Sequence, residues 1–352
     1  MFSLKKRNIR VAISPFCNLN CIYCDGQKSR KPGKSGAMED FRRKPLSQGI
    51  ISTGIFIEII KALHLSGFNG MTLTGGEPFL NPDWVMIVSE SKKIGMSKIG
   101  ITTNGILLST YLQKNKHLPE GLTLLTISLD TFDPNRFKAI TGSDKLEEVM
   151  EGLKAAKKDN PKLTIRANKV LLRSDMKSLL DYIRFCEKTG VVDEINLLNL
   201  ILKDQQSKKF FEKEFISASE ALDFFSKHTE YKFSIDDKYE FNAKLPSGLR
   251  IVLKDTNLTL RSNECINCPI YCQEGLYTVR IATDGTITTC PDYRAELSFI
   301  NGPLELKNRE LLKKVSKLVQ VFTMVKQKNT LREFFRRNNI KLKKNNGGEI
   351  SF

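Results

Sequence analysis

The feature that most constrains the fold of this chain is a regular alternation of short apolar runs with amphipathic helical stretches from Ile9 to about Leu202. Six runs have the length and composition of buried strands: residues 9–13, 70–74, 98–102, 122–128, 163–167 and 194–198. This rhythm predicts an α/β fold, a parallel sheet with helices packed outside it. Because six units are too few to close an eight-stranded barrel, we expect a partial (β/α)6 barrel that stays open.

Changes of pattern along the chain predict four segments. They are a barrel core (1–202), a bridging segment of helices and short strands (203–261), a small auxiliary domain (262–303) and a basic helical region with a mobile tail (304–352). Within the barrel we expect a first helix from about Gly54 to His64 with Thr53 as its N-cap. Within the auxiliary domain, Asp284-Gly285 between two alternating runs predicts a hairpin turn.

Three cysteines follow the first predicted strand at close spacing. Cys17, Cys21 and Cys24 form a C-x3-C-x2-C loop. Thiolates are soft ligands that suit iron–sulfur clusters, and three of them on a four-iron cluster leave one iron without a protein ligand. A zinc site is the alternative, but zinc knuckles normally use two C-x2-C pairs or add histidines, and none of the three histidines is nearby.

Polar residues stand at the carboxyl ends of the next predicted strands, the edge at which parallel sheets place their ligands. Thr74-Gly75-Gly76-Glu77-Pro78 ends the second strand, where two glycines let the backbone approach a ligand and Glu77 can accept hydrogen bonds from an ammonium group. Asn104 follows the third strand and Ser128 ends the fourth. Arg166, on the fifth, could reach a carboxylate or an anionic substrate.

The cysteine spacing and the Gly-Gly-Glu-Pro segment together resemble the signature motifs of the radical S-adenosylmethionine (SAM) superfamily. The resemblance implies a 4Fe-4S cluster on Cys17, Cys21 and Cys24, whose open iron chelates SAM, and reductive cleavage of SAM to a 5′-deoxyadenosyl radical. It also implies that Tyr23, Gly75, Gly76, Glu77, Asn104 and Ser128 contact SAM. We add Arg166 as a further predicted contact. Tyr23 would lie near the adenine, and the Gly-Gly-Glu-Pro segment would hold the amino group.

A second cysteine cluster lies in the predicted auxiliary domain. Its members are Cys265, Cys268, Cys272 and Cys290. Four thiolates could complete the coordination of one four-iron cluster or of one zinc ion, and the spacing does not separate the two. The run from Cys272 through Gly285 to Cys290 resembles the opening of the SPASM motif, and its shorter form, Twitch, carries one auxiliary 4Fe-4S cluster.

Within the superfamily, residues 9–200 and 265–292 most resemble the GTP 3′,8-cyclases of molybdenum cofactor synthesis. The runs 127–142 and 280–285 carry this likeness. Three cations of that family are absent here, since Phe16, Thr72 and Thr278 stand at their positions. A triphosphate site would be weakened by their loss, because each charge-assisted contact is worth about 1.5–3 kcal/mol. We therefore expect a relative of the cyclase that abstracts a hydrogen from a nucleotide or sugar-type small molecule.

Other substrates remain open. GTP itself is one. A ribosomal peptide is another, since many Twitch and SPASM enzymes modify peptides. Only eight residues precede the first predicted strand, so we expect no leader-binding domain. An RNA is the third, suggested by thirteen Lys or Arg against three Glu between Leu304 and Lys344. Nucleic acid is not favoured, because the few aromatic residues of this stretch do not alternate with its basic residues as they would in a single-strand binder.

The composition adds expectations about location and partners. The net charge of +17 favours anionic partners or a solvated lysine-rich surface. Neither a signal peptide nor a membrane span is apparent, so we expect a cytoplasmic protein. A radical SAM enzyme there would take electrons from a reductant such as flavodoxin or ferredoxin. The eighth cysteine, Cys186, lies in an apolar-periodic run and is expected to be a buried helix residue.

Overall fold

The computed structural model describes most of the predicted barrel and parts of the segments that follow it. The described residues are 8–24, 50–202, 208–235, 240–254 and 278–288, with the backbone of 298–300. The chain divides into two compact units. The first unit comprises Met1–Ser128, Pro134–Ile165 and Leu276–Met324, and the second comprises Leu129–Asp133, Arg166–Gly275 and Val325–Phe352.

The first unit contains the expected alternation of strands and helices. Its successive strands are β1 (Asn8–Ser14), β2 (Gly70–Gly75), β3 (Lys98–Thr103) and β4 (Leu122–Ser128). Its helices are α1 (Thr53–Leu65), α2 (Trp84–Ile94), α3 (Leu108–Asn115), α4 (Pro134–Thr141) and α5 (Leu146–Asp159), with a 3-10 turn at Pro78–Leu80. The four strands pair in parallel in the order of the chain, which confirms the predicted α/β architecture.

Alternating burial along β1 shows how the sheet is packed. Ile9, Val11 and Ile13 are fully buried, whereas the intervening Arg10 and Ala12 are only partly buried. Successive side chains of a strand point to opposite faces, so the apolar set occupies one face and the more polar set the other. The apolar residues of the helices complete the core, for example Phe56, Ile59 and Leu63 of α1.

The N-terminus of α1 differs from the prediction by one residue. The N-cap is Ser52, whose hydroxyl accepts a hydrogen bond from the Ile55 backbone N–H at 3.4 Å. Thr53 is the first helical residue, and its hydroxyl donates to the Asp83 carboxylate at 2.7 Å. Both hydroxyl residues are good caps, and the tertiary contact with Asp83 decided between them.

The predicted hairpin is present in the first unit. Strands β10 (Thr278–Ile281) and β11 (Ile287–Thr288) are antiparallel, and Gly285 has the positive φ of 86° that the turn requires. Strand β12 (Ser298–Ile300) pairs with β11. In addition, β10 pairs in parallel with β1, so this hairpin of the predicted auxiliary domain extends the parallel sheet of the first unit.

The second unit begins with β5 (Thr164–Val170), whose first two residues belong to the first unit, and β6 (Glu194–Leu198). Its other elements are α6 (Leu179–Thr189), α7 (Lys208–Glu214), α8 (Ala218–His228), β7 (Ser234–Ile235), β8 (Glu240–Lys244) and β9 (Arg250–Lys254), with a 3-10 turn at Arg173–Ser178. Strands β5, β6 and β9 are parallel, and β8 is antiparallel to both β9 and β7.

Cys186 lies in the buried face of α6, as predicted, and is fully shielded from solvent. Burial raises the pKa of this thiol to about 12. Within the described part of the chain, no helix is long and apolar enough to cross a membrane. The predicted basic region 304–352 lies outside the described residues.

Candidate active site

The cysteine loop (residues 15–24) leaves the carboxyl end of β1 and carries the three predicted cluster ligands as thiols. Cys17 and Cys21 are partly buried and Cys24 is exposed. The Leu19 backbone N–H donates to Cys17 Sγ at 3.5 Å, and the Cys24 N–H donates to the Cys21 carbonyl at 3.0 Å. Local turns therefore bring the second and third cysteines close along the loop.

The end of β2 is bound directly to the start of the cysteine loop. The backbone N–H of Gly76 donates to the Ser14 carbonyl, and that of Glu77 to the Phe16 carbonyl, both at 2.6 Å. A Cβ at Gly75 would lie 2.4 Å from the Ser14 carbonyl oxygen, and one at Gly76 would lie 2.1 Å from that of Phe16. The two glycines are thus needed for close approach between two segments of the protein itself.

Glu77 accepts hydrogen bonds from three protein donors. Its Oε1 accepts from the Phe79 backbone N–H at 3.0 Å and from the Thr103 hydroxyl at 2.7 Å, and its Oε2 accepts from the Asn104 backbone N–H at 2.8 Å. The residue is only 1% exposed. Burial raises the pKa of this carboxyl to about 7 against the opposing effect of the three donors. Glu77 therefore ties the ends of β2 and β3 together.

Asn104 connects the end of β3 to the cysteine loop. Its Nδ2 donates to Asn18 Oδ1 at 2.7 Å and lies 4.0 Å from Cys17 Sγ. Its Oδ1 accepts from the Ile106 backbone N–H at 3.1 Å. Burial is the main cause that raises the pKa of the Cys17 thiol, and the hydrogen bonds from Leu19 and Asn104 oppose it.

The C-terminus of α4 holds the other side of the cysteine loop. The Asn20 backbone N–H donates to the Thr141 carbonyl at 3.1 Å, and the Ile22 N–H donates to the Ile140 carbonyl at 2.9 Å. The last carbonyls of a helix have no partner inside the helix, so they are available to the loop. Gly142 follows with a positive φ of 73°, the conformation that ends many helices.

Two further predicted contacts lie in the first unit. Tyr23 is half-buried in the cysteine loop, and Ser128 is the exposed last residue of β4. The structure thus places Cys17, Cys21, Cys24, Gly75, Gly76, Glu77 and Asn104 on three segments joined by hydrogen bonds, with Tyr23 on one of them and Ser128 at the end of a neighbouring strand.

Arg166 differs from the other predicted site residues. It belongs to the second unit and lies near the amino end of β5. Its guanidinium bonds Glu194, which also pairs with Arg250 at 3.1 Å. A SAM contact by Arg166 stays a prediction, and the ion pair with Glu194 weighs against it, because it already engages the guanidinium.

The four predicted auxiliary ligands, Cys265, Cys268, Cys272 and Cys290, lie outside the described residues. Among the residues that are described, no three His, Cys, Asp or Glu side chains are grouped to hold a single metal ion. In a four-iron cluster the cysteine ligands bind different irons, so the three thiols of the cysteine loop need not converge as ligands of one ion do.

Several residues that shape the site were not predicted from the sequence. Asn18 bonds Asn104, Thr103 bonds Glu77, and the Ser14 hydroxyl accepts a hydrogen bond from the Phe16 backbone N–H at 3.1 Å. Their places in the sequence gave one indication of a role in the site, because Asn18 lies between two cysteines and Thr103 ends a strand. The pairing of α4 with the loop uses backbone atoms, so no side chain could have indicated it.

Comparisons with known proteins agree with this arrangement. Residues 11–183 match the family model described as the radical SAM superfamily. The probable GTP 3′,8-cyclase of Sulfurisphaera tokodaii is 29% identical over 291 residues, which cover 82% of each chain. That of Pyrococcus abyssi is 28% identical over 311 residues, covering 84% of this chain and 88% of the relative.

One of the solved structures that the chain matches shows the same fold. Native anSMEcpe with bound AdoMet matches with a TM-score of 0.54 at 15% identity, over 90% of this chain and 84% of that one. Streptococcus suis SuiB matches 82% of this chain with a TM-score of 0.47 at 15% identity, and the chain spans only 61% of its length. With the family match, the cysteine loop and the strand ends bound to it, residues 11–183 form a radical SAM domain and the chain is a radical SAM enzyme.

Proposed function

We propose that Cys17, Cys21 and Cys24 hold a 4Fe-4S cluster that binds SAM, and that the enzyme abstracts a hydrogen from an anionic nucleotide or sugar-type small molecule. The observation that carries the first part is the cysteine loop itself. Its three thiols are the donor set that suits such a cluster, and they sit on one loop fixed by backbone bonds to β2 and α4. When bound and reduced, the cluster supplies the electron that cleaves SAM to methionine and a 5′-deoxyadenosyl radical.

The residues around the loop have separate tasks in this proposal. Gly75 and Gly76 let β2 contact the loop backbone, and Glu77 fixes the strand ends. The exposed Ser128 hydroxyl and the half-buried Tyr23 ring would orient SAM. Both oxygens of Glu77 already accept hydrogen bonds from protein donors. The exposed backbone around Gly75 would therefore share the SAM amino group with this carboxylate.

The substrate class is supported by two arginines of the first unit. Arg10 of β1 and Arg280 of β10 are in register on adjacent parallel strands, so their side chains point to the same face of the sheet. Arg280 is 7% exposed and Arg10 is half-buried. Two neighbouring guanidinium groups on one face attract phosphate or carboxylate groups, which favours a charged small molecule over a neutral peptide.

GTP is the first substrate to test, because the curated relatives are named probable GTP 3′,8-cyclases. A different nucleotide or a sugar phosphate is supported by Phe16. This residue stands where the cyclases have a cation, and it is buried against Ile50 and Leu80. An apolar residue in the core cannot bind a phosphate, so the anionic contacts of this enzyme would differ from those of the cyclases.

The cluster assignment is tested by anaerobic reconstitution of the full chain with iron and sulfide. With the auxiliary cluster on Cys265, Cys268, Cys272 and Cys290 included in the proposal, about eight irons per chain are expected. Cys17→Ala should lose about four irons and all SAM cleavage, measured as 5′-deoxyadenosine formed with dithionite or reduced flavodoxin. Cys186→Ala is the matched control and should keep the iron, because this buried thiol lies in α6. Zinc in the cysteine loop, or unchanged iron in Cys17→Ala, would contradict the proposal.

The substrate assignment is tested with the reconstituted wild type. Anionic compounds such as GTP, other nucleotides and sugar phosphates should increase the formation of 5′-deoxyadenosine. A substrate with deuterium at the reacting carbon should transfer the deuterium to 5′-deoxyadenosine. Arg280→Leu should raise KM for the active compound at least tenfold, the equivalent of about 1.4 kcal/mol, while uncoupled SAM cleavage persists. A peptide that alone stimulates the reaction would overturn this part.

A further inference from the structure

Asn104 has a fixed orientation toward the cysteine loop. Its Oδ1 accepts from the Ile106 backbone N–H at 3.1 Å, and only the oxygen end of a carboxamide can accept such a bond. The nitrogen end is therefore the one that faces residues 17 and 18. The backbone N–H of Asn104 is also held, by Glu77 Oε2 at 2.8 Å, and the residue is 7% exposed.

The two hydrogens of the Asn104 amide have two partners in the loop. One partner is Asn18 Oδ1, at 2.7 Å from Nδ2. The other is Cys17 Sγ, at 4.0 Å, a long contact that a thiolate with a full negative charge would shorten. Cys17 Sγ also accepts from the Leu19 N–H at 3.5 Å. One backbone and one side-chain donor thus face the same sulfur.

We infer that Asn104 is a positioning residue for the cluster: its amide holds the Cys17 thiolate by an N–H···S contact and raises the reduction potential of the cluster. This rests on the proposed function, since it requires Cys17 to be a cluster ligand. A donor aimed at a ligand sulfur stabilises the more negative, reduced cluster more than the oxidised one, and hydrogen bonds to the sulfurs are among the factors that set cluster potentials. Asn104 then acts before SAM binds.

The test is an EPR-monitored redox titration of the reconstituted full chain without SAM. Asn104→Leu keeps the shape of the side chain but removes the donor, and its midpoint potential should shift to more negative values at unchanged iron content. Thr103→Val is the matched control, because it perturbs the same strand end through Glu77 and not through the sulfur. Its potential should stay that of the wild type.

Two additions make the outcome decisive. Parallel samples with SAM identify the signal of the Cys17 cluster, since an auxiliary cluster with four cysteine ligands would not respond. Asn104→Asp keeps the acceptor for Ile106, loses the donor and adds a negative charge, so its potential should also become more negative, whether or not the leucine variant keeps its cluster. A wild-type potential in the Asn104 variants would overturn this inference alone. A wild type that binds no cluster at Cys17 would overturn the proposed function with it.

Discussion

Two buried carboxylates, one in each unit, are satisfied in opposite ways. Glu77 follows β2 at its carboxyl end, is 1% exposed and accepts only from neutral donors. Glu194 begins β6, is 4% exposed and is bound by Arg166 and Arg250. A buried charge needs hydrogen bonds, an ion pair or a proton. The amino end of β6 in the second unit thus carries a paired ion network. The carboxyl end of β2 in the first unit instead uses one carboxyl group to align neutral groups beside the cysteine loop.

The largest effect on stability is expected at Gly76, where the carboxyl end of β2 depends on backbone contact with the cysteine loop. Gly76→Ala should lower the free energy of unfolding by about 4 kcal/mol or more, because its Cβ would lie 2.1 Å from the Phe16 carbonyl oxygen. Urea unfolding followed by circular dichroism measures this. Gly54→Ala is the control, since the nearest atom to its Cβ would be Ser52 Oγ at 3.9 Å, and it should be neutral or stabilising by up to about 1 kcal/mol. Equal losses in both variants would show that the close approach at Gly76 does not limit stability.

Removal of the Glu77 carboxyl should cause the second largest loss in the free energy of unfolding. Glu77→Ala leaves the donors of Phe79, Thr103 and Asn104 without their acceptor. At about 1–1.5 kcal/mol for each donor, the lower part of the range for an unsatisfied buried group, a total loss of about 3–4.5 kcal/mol is expected. Glu120→Ala, at an exposed side chain, should change stability by less than about 0.5 kcal/mol. A Glu77 variant as stable as the Glu120 variant would show that the three bonds are dispensable.

The neutral surroundings of Glu77 also predict a pH dependence. Because burial raises its pKa from 4.5 to about 7, the unfolded state releases this proton first as the pH rises. Glu77 therefore favours the folded state most below pH 4.5, and about 3 kcal/mol of that contribution is lost as the pH rises through 7. The difference in unfolding free energy between wild type and Glu77→Gln, measured from pH 4.5 to 8, should fall accordingly. A flat difference would contradict the raised pKa.

The smallest loss of stability is expected at the ion network of Glu194, Arg166 and Arg250. Glu194→Gln removes the charge between Arg166 and Arg250, whose side chains are 30% and 51% exposed and can reach water. We expect a loss of about 1–3 kcal/mol in urea unfolding, below that of Glu77→Ala. Iron content and SAM cleavage in the reconstituted variant should match the wild type. A loss of SAM cleavage at normal stability would support the predicted SAM contact of Arg166.

Local pattern was sufficient for the elements that a short stretch of sequence determines. Strands β1 to β6 lie at the predicted runs, Cys186 is buried in α6, and the Asp284-Gly285 turn closes its hairpin. Strand periodicity, apolar helix faces and turn residues act over a few positions, so the chain alone reveals them. The cysteine spacing is equally local, because one loop carries all three thiols.

Contacts between distant residues were decided only by the tertiary structure. Ser52 rather than Thr53 caps α1 because Asp83 takes the Thr53 hydroxyl. Gly76 meets the Phe16 carbonyl, and Asn104 meets Asn18 and Cys17 across 86 and 87 positions of sequence. Each of these groups has several chemically equivalent partners in the sequence, and at the strand ends the packing of β1, β2 and β3 side by side selects one of them. Sequence thus determined which groups are present at the carboxyl ends of the strands, and three-dimensional proximity determined which group each one binds.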